Sequence, residues 1–161
     1  MIFLTVGSMF PFDRLIQSVD EMVGNGQLPD DVFAQIGEGR FEPHHMKFCR
    51  FLDNIEFEEK VGSAKYLLGH AGVGTITLAL SRQIPALVVP RLSRFGEHVN
   101  DHQFATARKF EELGHVLVAY DVHDIPSKLN ELRNFTARKR EVRTQDLVTR
   151  IDRFLRDLHR A

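Results

Sequence analysis

The feature that most restricts how this chain can fold is a series of short, nearly all-apolar runs, each followed by a helical pattern. "MIFLTVG", "VFAQIG", "YLLGH", "PALVVP" and "VLVAY" are continuous apolar blocks rather than alternations of apolar and polar residues. An alternating strand has one wet face. A strand that is apolar throughout is buried on both faces, as in a parallel sheet covered by helices on each side. Between the blocks, Phe12, Leu15, Ile16, Val19 and Val23 recur at helical spacing. Helices are also expected over "EFEEKVGSA", "GTITLALSR" and "HQFATARKFEELG", and around 124–135 and 145–159. "GNGQLPDD" reads as a loop, and "EGRFEPHHMKFCRFLDN" as a loop with a short strand near Phe48–Leu52. The alternation predicts an α/β fold, a Rossmann-like parallel sheet with helices on both faces and right-handed crossovers, forming one domain over 1–161. Ligands of such sheets bind beyond the C-terminal ends of the strands. Those ends carry Gly7-Ser8, Gly37-Glu38-Gly39, His70–Thr75 and Arg91–Gln103.

Composition narrows the class of protein. The 161 residues are 43% hydrophobic and 27% charged, as in soluble globular domains. Cys49 is the single cysteine, so neither an internal disulfide nor a CxxC metal site can form. The N-terminal stretch lacks the basic region and cleavage site of a signal peptide, and no apolar run reaches membrane-spanning length. The expected location is the cytoplasm. Charge is uneven: residues 133–161 hold 9 Lys/Arg against 4 Asp/Glu, while the whole chain has a net charge of -1. Such a basic segment suits either a partner or anionic lipid, or is a solvated helical tail. In the last expected helix, about 144–159, Leu147, Ile151, Phe154, Leu155 and Leu158 form an apolar stripe flanked by Arg150, Arg153 and Arg156. That stripe either docks on a partner or packs on its own sheet.

Two stretches carry candidate chemistry. In "HAGVGT", Gly72 and Gly74 allow close backbone approach, and Thr75 is placed to cap the helix that starts there. Free N–H groups at a helix start face an anion favourably, so the turn is either a diphosphate site or a tight strand-to-helix connection. It is neither a Walker loop nor the GxGxxG fingerprint. His70 is a base, a charge partner for phosphate, or a buried turn histidine. The second stretch, "PRLSRFGEHVNDHQ", gathers Arg91, Arg94, Glu97, His98, Asp101, His102 and Gln103 behind a strand. It suits a hydroxyl-rich, anionic ligand such as a nucleotide sugar, or is an exposed loop with surface ion pairs. Arg91 and Arg94 can bind phosphate or a sugar carboxylate, and Gln103 can bridge two sugar hydroxyls. The pairs His44-His45 and His98/His102 raise metal binding, but no third ligand accompanies them. No metal or cofactor is expected, and no nucleic-acid partner.

Together, "TVGSMFPFDRLIQSVD", "VFAQIGEG", "AKYLLGHAGVGTITLALSRQIPALVVPR" and "GEHVNDHQFATARKFEELG" resemble the C-terminal-domain type of family-28 glycosyltransferases. Within it they are similar to the small, PssE-like soluble subunits of two-component bacterial exopolysaccharide and capsule transferases. Those are related to the soluble subunit of the dolichol-linked GlcNAc transferase. The resemblance covers about residues 2–120. It implies the C-terminal half of a GT-B enzyme that holds a UDP-sugar for inverting, metal-independent transfer of a hexose-type sugar. A separate membrane-attached subunit would receive the lipid-linked acceptor and supply the general base. Gly72, Val73, Gly74 and Thr75 would lie along the diphosphate, with His70 near it. His102 and Gln103 would face the donor sugar, and Gly7 and Ser8 would border the cleft toward the partner. His70, Arg91 and Arg94 are the candidate leaving-group stabilisers. The family's acidic ribose-binding position is Leu78 here, with Glu97 as a substitute acceptor. The alternatives are a non-catalytic activator or scaffold subunit and a standalone nucleotide- or phosphosugar-metabolising enzyme. A homo-oligomer is the option left to the chain when isolated.

Overall fold

A computed structural model of the protein describes residues 1–28 and 30–139. Six strands form one sheet: β1 (Ile2–Thr5), β2 (Val32–Gln35), β3 (Lys47–Cys49), β4 (Tyr66–His70), β5 (Ala86–Val89) and β6 (Leu117–Val118). Every neighbouring pair is parallel, and the order is β3-β2-β1-β4-β5-β6. The helices are α1 (Asp13–Gly24), α2 (Asn54–Ser63), α3 (Val73–Arg82), α4 (His102–Glu112) and α5 (Ile125–Leu132).

Strand alternation divides the core into two layers. Ile2, Leu4, Leu68, Leu87 and Val89 point to one face, where Leu15, Ile16 and Val19 of α1 and Ile125, Leu129 and Leu132 of α5 cover them. Phe3, Leu67, Ala86 and Val88 point to the other, under Val61 of α2, Ile76 and Ala79 of α3 and Ala107 of α4. Both faces are dry, which is why the central strands read as unbroken apolar runs.

Most departures from the expected boundaries have local causes. Helix α2 starts before Glu56 because Asp53 closes a capping box: its side chain accepts from the Glu56 N–H, and the Glu56 carboxylate accepts from the Asp53 N–H. Helix α4 stops at Glu112, short of Gly114, which turns the chain at φ +71°. A 3-10 turn, Val122–Asp124, precedes α5, whose first turn holds Pro126. The strand expected near Phe48–Leu52 is β3, one residue earlier and ending at Cys49. The expected helix over 145–159 and its stripe lie outside the described residues. Among the described residues, no helix is long and apolar enough to cross a membrane.

The direction of strand addition reverses between β1 and β4. At such a switch point the loops diverge and leave a crevice at the C-terminal edge of the sheet.

Candidate functional site

A cleft of about 580 Å³ opens at that crevice, between the loops that follow β1, β4 and β5. Its floor is polar. Thr5 and Gln35, opposite each other in register at the ends of β1 and β2, are buried, and the Thr5 hydroxyl donates to Gln35 Oε1 at 3.3 Å. Ser8, His70, Thr75, Arg91, His98 and Gln103 complete the polar lining, while Phe10, Phe57 and Leu78 supply apolar wall.

The loop after β4 brings backbone to the cleft. Gly72 is the N-cap of α3, and no side chain caps the helix. Thr75 does not take the capping role that its position suggested, because its hydroxyl lies 3.3 Å from His70 Nδ1 instead. The first turn of α3 therefore directs N–H groups and the positive end of the helix dipole outward. The two glycines of the turn serve different purposes. A Cβ on Gly72 would fall 2.3 Å from His70 Nε2, so this glycine makes room for the imidazole. A Cβ on Gly74 would meet nothing within 4 Å, so no contact inside the chain explains a glycine there. Gly7, at φ +73°, also abuts the ring, where a Cβ would lie 2.9 Å from Cε1. Burial and the nearby Arg91 charge push His70 down to about 4, with the Thr5 carbonyl opposing the shift and His98 adding to it. The ring is thus neutral at pH 7, a hydrogen-bonding group rather than a cationic partner for phosphate.

The loop after β5 is built differently. Arg91 is buried, and its guanidinium donates to the carbonyls of Val6 and Phe10 at 2.6 Å and of Pro11 at 3.3 Å. It clamps the loop between β1 and α1. Burial lowers its pKa to about 10, with Glu97 opposing, so its charge persists beside the cleft. Glu97 is also buried, but it grips Arg14 of α1 through bonds of 2.6 and 2.9 Å and accepts from the Leu92 N–H. Its oxygens are engaged and it does not line the cleft. Arg94 is exposed, stacks on Phe95 and also stays outside the lining. Gln103 is buried and lines the cleft, with Oε1 accepting from the Arg91 N–H at 3.1 Å and its amide nitrogen available for a ligand. His102 is exposed at the start of α4, where it pairs with Asn100 and lies edge-on to His98 at 4.4 Å between centroids. It is His98 that reaches the lining, packed against Phe10 at 4.7 Å.

The remaining candidates have structural roles. Buried Asp20 accepts from the backbone N–H groups of His44, His45 and Met46 and pairs with His45 Nδ1. Burial raises its pKa, but these bonds outweigh that and leave it below its ordinary value. Gly37 makes room for the Gly7 carbonyl, and Gly39 for the Asp13 side chain. Among the described residues, no group of three or more His, Cys, Asp or Glu is placed to hold a metal ion.

Thus His70, Gly7, Ser8, Gly74, Thr75, Arg91 and Gln103 line one cleft, and Gly72 and Val73 open the helix at its edge. Arg94, Glu97 and His102 are elsewhere. The sequence does not single out Thr5, Gln35 or Phe57, and it marks His98 only as one member of the polar cluster and of a possible metal pair. One signal was visible for Gln35, an uncharged polar residue closing the apolar run "VFAQIG".

A sequence model of the glycosyltransferase family 28 C-terminal domain matches residues 1–155. The chain belongs to this family. No curated protein sequence matches it. The family-28 domain also shares its fold with solved structures. The Streptomyces sp. SF2575 glycosyltransferase SsfS6, complexed with thymidine diphosphate, is 18% identical with a TM-score of 0.57, over 82% of this chain and 32% of that one. MurG of Acinetobacter baumannii is 18% identical with a TM-score of 0.58, over 81% and 40%. The chain thus spans between a third and two fifths of these two proteins. The solution structure of ALG13 is 18% identical with a TM-score of 0.56, over 88% of this chain and 89% of that one.

Proposed function

We propose that this chain is the donor-binding subunit of an inverting, metal-independent glycosyltransferase, holding a UDP-sugar in the switch-point cleft. The observation that carries the reading is the uncapped start of α3, which opens beside Gly74 into a cleft lined by His70, Arg91 and Gln103. The diphosphate rests on the N–H groups of the Gly72–Thr75 turn, where charge developing on the leaving group meets the helix dipole. Buried Arg91 adds a fixed positive charge, and neutral His70 adds a polar ring to the cleft wall. Gln103 and His98 lie on the side of the transferred hexose. Family membership supports the nucleotide-sugar class, and the thymidine diphosphate bound to SsfS6 is in keeping with it.

Acceptor binding and the general base fall to a second, membrane-attached subunit bearing a lipid-linked acceptor for polysaccharide synthesis. The fold shared with ALG13 is in keeping with this reading. Met9 and Val99, on the loops after β1 and β5, and Val73, at the start of α3, support a covered surface: all three are large, apolar and more than half exposed. A basic C-terminal segment suits a site at the inner face of the membrane.

The test is calorimetric titration of the full chain, alone and with its co-purified partner, with UDP and UDP-glucose. Micromolar to millimolar binding of UDP is expected, and no binding in either form contradicts the reading. A scaffold role is the second reading, favoured by the engagement of Arg91 and Glu97 in internal contacts. Gln103→Ala separates the two. Lost transfer with the complex intact supports donor binding, and unchanged transfer supports a scaffold.

A further inference from the structure

We infer that the cleft does not read the pentose hydroxyls of its nucleotide, and so takes ribo- and 2′-deoxyribonucleoside diphosphates alike, with Leu78 as the residue that sets this tolerance. The inference rests on the donor reading above.

Gly74 and Leu78 both line the cleft and stand four residues apart on α3, on one helix face and about 6 Å apart along its axis. A pentose is joined to its phosphate by a single ester linkage. With the diphosphate against the start of α3, the pentose therefore comes within reach of Leu78, and Phe57 of α2 belongs to the same wall. A pair of vicinal hydroxyls is read by an acceptor, and dinucleotide folds use a carboxylate for this. Among the described residues that line the cleft, none is Asp or Glu. Three neutral acceptor oxygens of the lining already hold one bond inside the chain, and the Ser8 hydroxyl stands on the loop after β1 rather than on α3. Gln35 Oε1 accepts from Thr5, Gln103 Oε1 accepts from the Arg91 N–H, and the Thr75 hydroxyl pairs with His70.

An apolar wall packs against the carbons of a pentose whether or not the 2′-hydroxyl is present. Discrimination between such analogues is weak in a hydrophobic pocket and reaches several orders of magnitude only where a polar group is built to bind the hydroxyl. Leu78 is half-buried, so its γ-branched side chain offers contact area and no hydrogen bond.

The experiment is titration of the full chain with UDP and with 2′-deoxy-UDP, repeated on Leu78→Glu and Leu78→Gln, with folding checked by thermal melting. The wild type is expected to bind the two nucleotides within about threefold of each other. Leu78→Glu is expected to open a preference for UDP of about tenfold, and Leu78→Gln a smaller one. UDP binding with 2′-deoxy-UDP tenfold or more weaker overturns this inference and leaves the donor reading standing. An unchanged ratio in folded Leu78→Glu and Leu78→Gln overturns the role given to Leu78. Binding of neither nucleotide to the wild type overturns the donor reading and this inference with it.

Discussion

The loops after β4 and β5 leave the same edge of the sheet and border the same cleft, but they are held in opposite ways. The β5 loop is dense with side-chain bonds: Arg91 to three carbonyls, Glu97 to Arg14 and Leu92, and Asp101 to the Ser93 N–H. The β4 loop has no side-chain cap and one glycine that nothing inside the chain requires. Polar side chains in the first loop build the frame, and bare backbone in the second opens onto the cleft. Charged residues clustered behind a strand are thus no guide by themselves to ligand contact, because a buried charge must first be paired.

The largest effect should fall on the β5 loop. Glu97→Ala leaves Arg14 without its partner and the Leu92 N–H without an acceptor, and should lower stability by about 3 to 5 kcal/mol. Denaturant unfolding reads this directly, and a loss below 1 kcal/mol would break the contrast between the loops.

The next effect concerns His70 and depends on pH. The unfolded imidazole titrates near 6.5, while the folded ring is held at about 4. Between those values the unfolded chain binds a proton that the folded chain refuses, so stability falls as pH drops. The contribution is complete above pH 6.5 and is lost on the way down to pH 4, on the order of 3 kcal/mol. His70→Asn should flatten that part of the stability–pH curve, and an unchanged slope would show that the ring is not buried neutral.

Within the β4 turn the two glycines should separate. Gly72→Ala drives a methyl into His70 and should cost about 1–3 kcal/mol. Equal tolerance of alanine at Gly72 and Gly74 in thermal melts would show that they do not differ in kind. The smallest effect is expected at Arg94, where alanine should leave stability within about 0.5 kcal/mol and nucleotide affinity unchanged.

Much of this arrangement was legible in the sequence. Unbroken apolar strands gave away a sheet covered on both faces, and "HAGVGT" marked where the strand-to-helix turn meets the cleft. What was not legible depends on long-range pairing. Arg91 reaches the segment between β1 and α1 and Glu97 reaches Arg14 of α1, each some 80 residues away, and nothing local to "PRLSRFGEHVNDHQ" announces that. Thr5 and Gln35 meet only through strand register. His98 and His102 differ in exposure because α4 begins between them, which the i, i+4 spacing concealed.

The central claim is that the open first turn of α3 holds the diphosphate. Gly74→Val tests it most directly, because a side chain there meets no neighbour within 4 Å and requires no unusual backbone angle. UDP affinity should fall at least tenfold, with a melting temperature at or near that of the wild type. Wild-type affinity in a folded Gly74→Val chain would place the nucleotide elsewhere and contradict the account.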